Sequence, residues 1–158
     1  MPQSIIYHYW KHLQFKWYIA STEKLKIIIG AGITSYPGWY PTDKEILNLT
    51  RESDYEKYFS TRKINYIVAE HVFEHLTELE ILSALHLIHK YSSFDVIIRV
   101  AVPDGFHSDS GYIQKVRPGG CGKGAHDHKH LFTYLSLIEL FYKAGFTGNP
   151  IEYFDEDN

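Results

Sequence analysis

The chain holds one cysteine, Cys121, in 158 residues. That count excludes a disulfide framework and a cysteine-based zinc site, and it fits a reducing compartment. No apolar run approaches the roughly 18 residues that a membrane span needs. The N-terminus also lacks the charged-then-apolar order of a secretory leader, so the expected location is cytoplasmic, with no integral membrane segment. Positive charge is not in surplus either: 16 Lys and Arg against 19 Asp and Glu give a net charge of −3. A polyanion finds no global attraction here, and nucleic acid is not an expected partner. There are no internal repeats.

What is present describes a globular domain. Hydrophobic residues make up 44% and charged residues 22%, which places the chain outside the disordered class and predicts a single domain over residues 1–158. Aromatic residues reach 16%, with 13 Tyr, enough for a thick core or a ring-stacking pocket.

Helices and strands alternate along the chain. Ile6, Tyr9, Trp10, Leu13 and Trp17 recur at helical spacing, opposite His8, Lys11, His12 and Lys16, and predict a covering helix within residues 1–20. A basic face opposite aromatic residues also suits a membrane surface, but a helix covering one side of a sheet is the preferred reading. Leu25–Ile29 reads as a strand, Ser53–Phe59 as a helix and Ile64–Ala69 as a second buried strand. Thr77 and Glu80 form a capping box before a helix with a Leu79, Leu82, Leu85, Ile88 stripe. Val96–Val102 is nearly all apolar and β-branched, as in a parallel strand covered on both faces. Tyr134–Ala144 predicts a last helix, with Ser136 and Glu139 as its capping box, and Ile151–Phe154 a short last strand. Between them, residues 104–130 form a long Gly-, His- and Asp-rich segment, a length at which loops are usually functional.

Such alternation implies right-handed crossovers and a mostly parallel sheet with ligands at the carboxyl ends of its strands. The first strand ends in Gly30-Ala31-Gly32, and Asp43 follows eleven residues after Gly32. Glycines there let the backbone turn sharply and approach a ligand, and a carboxylate at the tip of the next strand can accept hydrogen bonds from a ribose diol. The pair points to a nucleoside-containing cofactor. Gly30, Asp43, Glu70 and Asp104 each stand where a strand ends.

Several stretches together, Ile29-Gly30-Ala31-Gly32, Gly38-Trp39 with Asp43, Ala69-Glu70-His71-Val72-Phe73-Glu74-His75-Leu76, Arg99 to Gly105 and Gly119 to Lys129, resemble the class I S-adenosylmethionine-dependent methyltransferases, within them the short bacterial type 11-like group. The resemblance runs from about Leu25 to Phe154. It implies an α/β fold, a three-layer sandwich around a mostly parallel Rossmann-like sheet, one strand short of the full methyltransferase fold. A truncated reading frame, a homodimer or a partner chain completing the sheet edge are the expectations that follow. The implied activity is methyl transfer from S-adenosylmethionine to a small-molecule or saccharide-type acceptor. Gly30, Ala31, Gly32, Asp43 and Glu70 would hold the cofactor. Glu70, His71, Asp104 and His128 would line the transfer site, with His71 or His128 as base. Two positions depart from the family pattern: Ile28 stands where an acidic residue is common, and Thr34 where a third glycine is. A non-catalytic or truncated S-adenosylmethionine-binding module is the alternative within the same resemblance.

His71-x-x-Glu74-His75 also spells a zinc-hydrolase motif, which requires a helix at that point. The segment follows a strand closely, so no metal is expected. In His126 to His130 the alternating ligands are interrupted by Lys129, and the segment reads as a polar loop. Cys121 has no base fixed beside it, and Gly119 to Gly124 lacks a P-loop context, so neither a nucleophile nor a phosphate cradle is expected. Arg99 interrupts an apolar run and needs a carboxylate, for which Glu70 is the candidate.

Overall fold

The computed structural model describes residues 3–157. They form two compact units: one runs to Glu70 and resumes over Leu87–Val100, and the other takes His71–His86 and continues from Ala101.

The first unit carries the sheet. Its strands are β1 (Leu25–Ile29), β2 (Tyr40–Thr42), β3 (Ile64–Glu70) and β4 (Ser92–Ala101), whose last residue passes into the second unit. All run parallel, in the order β2-β1-β3-β4. In register, Ile29 lies beside Thr42 on one side and Ala69 on the other. The chain thus leaves β1 toward one edge and returns on its other side, so the strand order reverses between β1 and β3. In open parallel sheets that reversal opens a crevice at the carboxyl ends of the strands. Pro41, which has no N–H to give a ladder, is tolerated because β2 is an edge strand. The α/β class and parallel Rossmann-like sheet are as expected.

Helix α1 (Gln3–Ser21) covers the sheet with a different face from the one its spacing predicts. Phe15 and Ile19 are buried, whereas Ile6, Tyr9, Trp10, Leu13 and Trp17 are exposed. Aromatic residues stand on both sides of this helix, so polar satisfaction decides the orientation. The Tyr18 hydroxyl donates to the Lys26 carbonyl at 2.9 Å and accepts the Lys26 N–H at 3.0 Å. Arg62 donates to the carbonyls of Ile19, Thr22 and Glu23 at 3.1, 2.6 and 2.9 Å, satisfying the helix end. Phe15 then packs on Tyr40 and on Tyr58 and Phe59 of α2 (Glu52–Phe59), with ring centroids 4.6, 4.7 and 5.9 Å away. This aromatic cluster builds core, while other aromatic residues, among them Trp10, Trp17 and Phe94, stay exposed.

Helix α3 (Glu78–Tyr91) crosses from the second unit into the first. The Thr77 and Glu80 capping box forms as expected. Its buried line is Ile81, Ala84, Leu85 and Ile88, and Leu79, placed in the stripe by sequence, is exposed. Strand β4 departs from expectation as well: it is an outer strand, its burial is partial, and Phe94 is fully exposed.

In the second unit are α4 (Ser110–Val116), α5 (Tyr134–Lys143) and two 3-10 turns, Phe73–His75 and Ala125–Asp127. Thr133 caps α5 in a box with Ser136, displacing the expected Ser136 and Glu139 pair by one turn. Residues Ile151–Phe154 form no strand. The Phe154 N–H instead bonds Asp104 Oδ2 at 2.8 Å.

Candidate functional site

In the first unit the glycine turn and Asp43 come together. Gly30 and Gly32 have φ of 61° and 53°, the left-handed region where a side chain is disfavoured. The Ala31 N–H reaches the Thr42 carbonyl at 3.0 Å, and the Gly32 N–H reaches Asp43 Oδ1 at 2.9 Å. The turn is therefore stitched to the tip of β2, with Asp43 Oδ1 on the turn. A Cβ at Gly32 would meet no atom within 4 Å, so open space lies beside the turn. That space belongs to a cavity of about 250 Å³ lined by Gly32, Tyr40, Pro41, Asp43, Ile46, Lys11 and Gln14. A hydrogen bond to Tyr7 holds the Lys11 ammonium above its ordinary pKa, so this wall carries a positive charge. Burial pushes the Tyr40 phenol up, keeping it neutral. Sequence reasoning missed Lys11 and Gln14, although their spacing of three puts both on one helix face.

At the end of β3, Glu70 is held on both oxygens. Arg99 donates to Oε1, and the Tyr36 hydroxyl donates to Oε2 at 3.4 Å. The expected Arg99 partner is thus in place, but the pair is not a core one: the Arg99 and Glu70 side chains are 56% and 25% exposed. Tyr36 carried no signal in the sequence. Ile28, where the family pattern often has an acid, is buried with Ala31 and Val68, and Trp39 packs against them.

The remaining candidates lie in the second unit. His71 has φ 56°, unusual for a side-chain-bearing residue, with its N–H on the Ala101 carbonyl at 2.9 Å and its Nδ1 3.1 Å from Glu74 Oε1. Because 73–75 is a 3-10 turn and no α-helix spans 71–75, the His-x-x-Glu-His letters do not put both histidines on one helical face. Asp104 is fully engaged: Oδ1 takes the Phe106 N–H at 2.9 Å and Oδ2 takes that of Phe154. It ties its loop to a segment fifty residues away.

The polar segment folds against the 3-10 turn. Backbone N–H groups of Lys129 and His130 both reach the Glu74 carbonyl, at 2.6 and 3.3 Å. His128 Nδ1 lies 2.6 Å from the Val116 carbonyl, and its ring meets that of His75 edge-on at 4.7 Å. A hydrogen bond from Lys129 holds the Asp127 carboxyl below the usual range. Gly120 and Gly122 serve packing: a Cβ there would come within 2.5 or 2.7 Å of the Lys115 carbonyl. The Gly120 N–H goes to the Arg117 carbonyl, and those of Gly122 and exposed Cys121 go to the α4 carbonyls of Lys115 and Gln114, so these three are not available to cradle a phosphate.

No family model matches the chain, and no curated protein matches it in sequence. No helix among the described residues is long and apolar enough to cross a membrane.

Proposed function

We propose that the first unit binds S-adenosylmethionine and that the chain transfers its methyl group to a small-molecule or saccharide-type acceptor. The observation that carries this reading is the conjunction of a strand-order reversal, a left-handed glycine turn and Asp43 beside one cavity. The residues present fit such a cofactor. The open space at Gly32 admits a ligand against the backbone, and with Oδ1 on the turn, Asp43 keeps Oδ2 for a ribose hydroxyl. Bound there, the cofactor supplies a sulfonium methyl open to in-line displacement. The protein's own task is to hold the partners in line and keep water out. Glu70, clamped by Arg99 and Tyr36, offers a carboxylate held in place at the end of β3.

A second reading, a cofactor-binding module without catalysis, is favoured by one observation. Asp104 spends both oxygens on backbone N–H groups, which suits a structural role better than a transfer-site one.

Calorimetric titration with S-adenosylmethionine and S-adenosylhomocysteine tests the proposal. Saturable one-to-one binding of both, and none of nicotinamide dinucleotides, is the expected result. Heat changes no larger than dilution for either ligand would remove the reading.

A further inference from the structure

We propose that the second unit holds a divalent first-row metal ion, zinc by its donor set, on Glu74, His75 and His128. The ligand atoms of these three residues all lie within 4.8 Å of one another. The set is not the one the sequence motif spells: His128, 53 residues beyond His75, takes the place of His71.

Burial supplies the independent argument. Glu74 is 0% exposed, and while its Oε1 meets His71, its Oε2 is buried with no hydrogen-bond partner among the described residues. Removing a carboxylate oxygen from water without a partner is costly, and a cation beside it offsets that cost. Both histidines are oriented as ligands by what their Nδ1 atoms face. The 2.6 Å contact of His128 Nδ1 with the Val116 carbonyl requires a proton on Nδ1, which leaves the Nε2 lone pair free. His75 Nδ1 faces Asp127 Oδ2 at 3.6 Å, and Asp127 is itself fixed by Lys129 at 3.0 Å. Carboxylate or carbonyl behind each ligating imidazole is the usual outer support of a metal site, setting tautomer and ring angle.

Two neutral imidazoles and one carboxylate form a three-ligand set that leaves a fourth position open, the pattern of zinc sites that bind a water or substrate. Metal–ligand bonds of about 2.0–2.2 Å bring tetrahedral ligand atoms to roughly 3.3 Å apart. The site therefore closes by a modest inward shift of the ligand atoms. This proposal is independent of cofactor binding in the first unit.

Equilibrium dialysis of the chelator-stripped full chain against zinc chloride, with metal analysis and tetrahedral cobalt absorption as a second readout, tests it. One zinc per chain is expected, with affinity falling about tenfold or more in His75→Ala, His128→Ala and Glu74→Gln. His126→Ala, an exposed neighbour on the same segment, retains binding. Circular dichroism on each variant separates metal loss from unfolding. The proposal is overturned by absence of stoichiometric zinc, by binding that survives His128→Ala but not His71→Ala, or by equal loss in His126→Ala.

Discussion

Asp43 accepts the backbone N–H of Gly32 at 2.9 Å, so one carboxylate both fastens the glycine turn and faces the cavity beside it. The two duties are separable. Asp43→Asn keeps an oxygen for Gly32 but loses the charge; stability in urea should change by under about 0.5 kcal/mol. Cofactor affinity should fall by roughly 1–3 kcal/mol. Asp43→Ala should add a stability loss of about 1 kcal/mol. Equal affinity in all three proteins would take Asp43 out of the site.

Gly32→Ala probes the turn from the backbone side. At φ 53° a Cβ is strained, although nothing lies within 4 Å of it. The expected cost is about 1–2 kcal/mol of folding stability, read by denaturant titration, together with weakened cofactor binding as the methyl enters the cavity.

Arg99→Ala should destabilise by no more than about 1 kcal/mol, because the pair with Glu70 is partly solvated. A loss of several kcal/mol in thermal unfolding would show that the pair is a buried one after all.

The orientation of α1 sets Phe15 and Trp17 apart. Phe15 is 0% exposed and Trp17 73%. Phe15→Ala should cost about 3–5 kcal/mol. Trp17→Ser should shift stability by under about 0.5 kcal/mol. Reversed magnitudes would turn the helix over.

His12 gives the fold a pH dependence. Its Nδ1 meets the Tyr58 hydroxyl and accepts from Lys57 at 3.1 Å. Burial, then the Lys57 charge, holds its pKa below the ordinary 6.5. The folded chain therefore binds fewer protons at His12 than the unfolded chain between the lowered value and 6.5. Its contribution is complete above 6.5 and is lost as pH falls toward the lowered value. Urea midpoints at about pH 7.5 and 5.5 should differ less in His12→Asn than in the parent chain.

Local signals carried far into this fold. β1 was legible to the residue because an apolar run stops at Gly30, and α3's start because Thr77 and Glu80 close a capping box. What escaped was set by distant partners. α1 has aromatics on both faces, and the bonds of Arg62 to its end and of His12 to Tyr58, more than forty residues apart in the chain, help fix which face turns inward. β4 reads as doubly covered, yet composition does not reveal that a strand lies at the edge. In the site, Gly32 and Asp43 were legible because turn and strand tip follow each other closely, whereas the meeting of Glu74 and His75 with His128 depends on a loop folding back over more than fifty residues.

The most direct test is a crystal structure of the chain grown with S-adenosylhomocysteine. The adenosyl group is expected in the cavity beside Gly32, with its ribose diol within hydrogen-bonding distance of Asp43. A nucleoside bound elsewhere, or that cavity filled by side chains at saturating ligand, would contradict it.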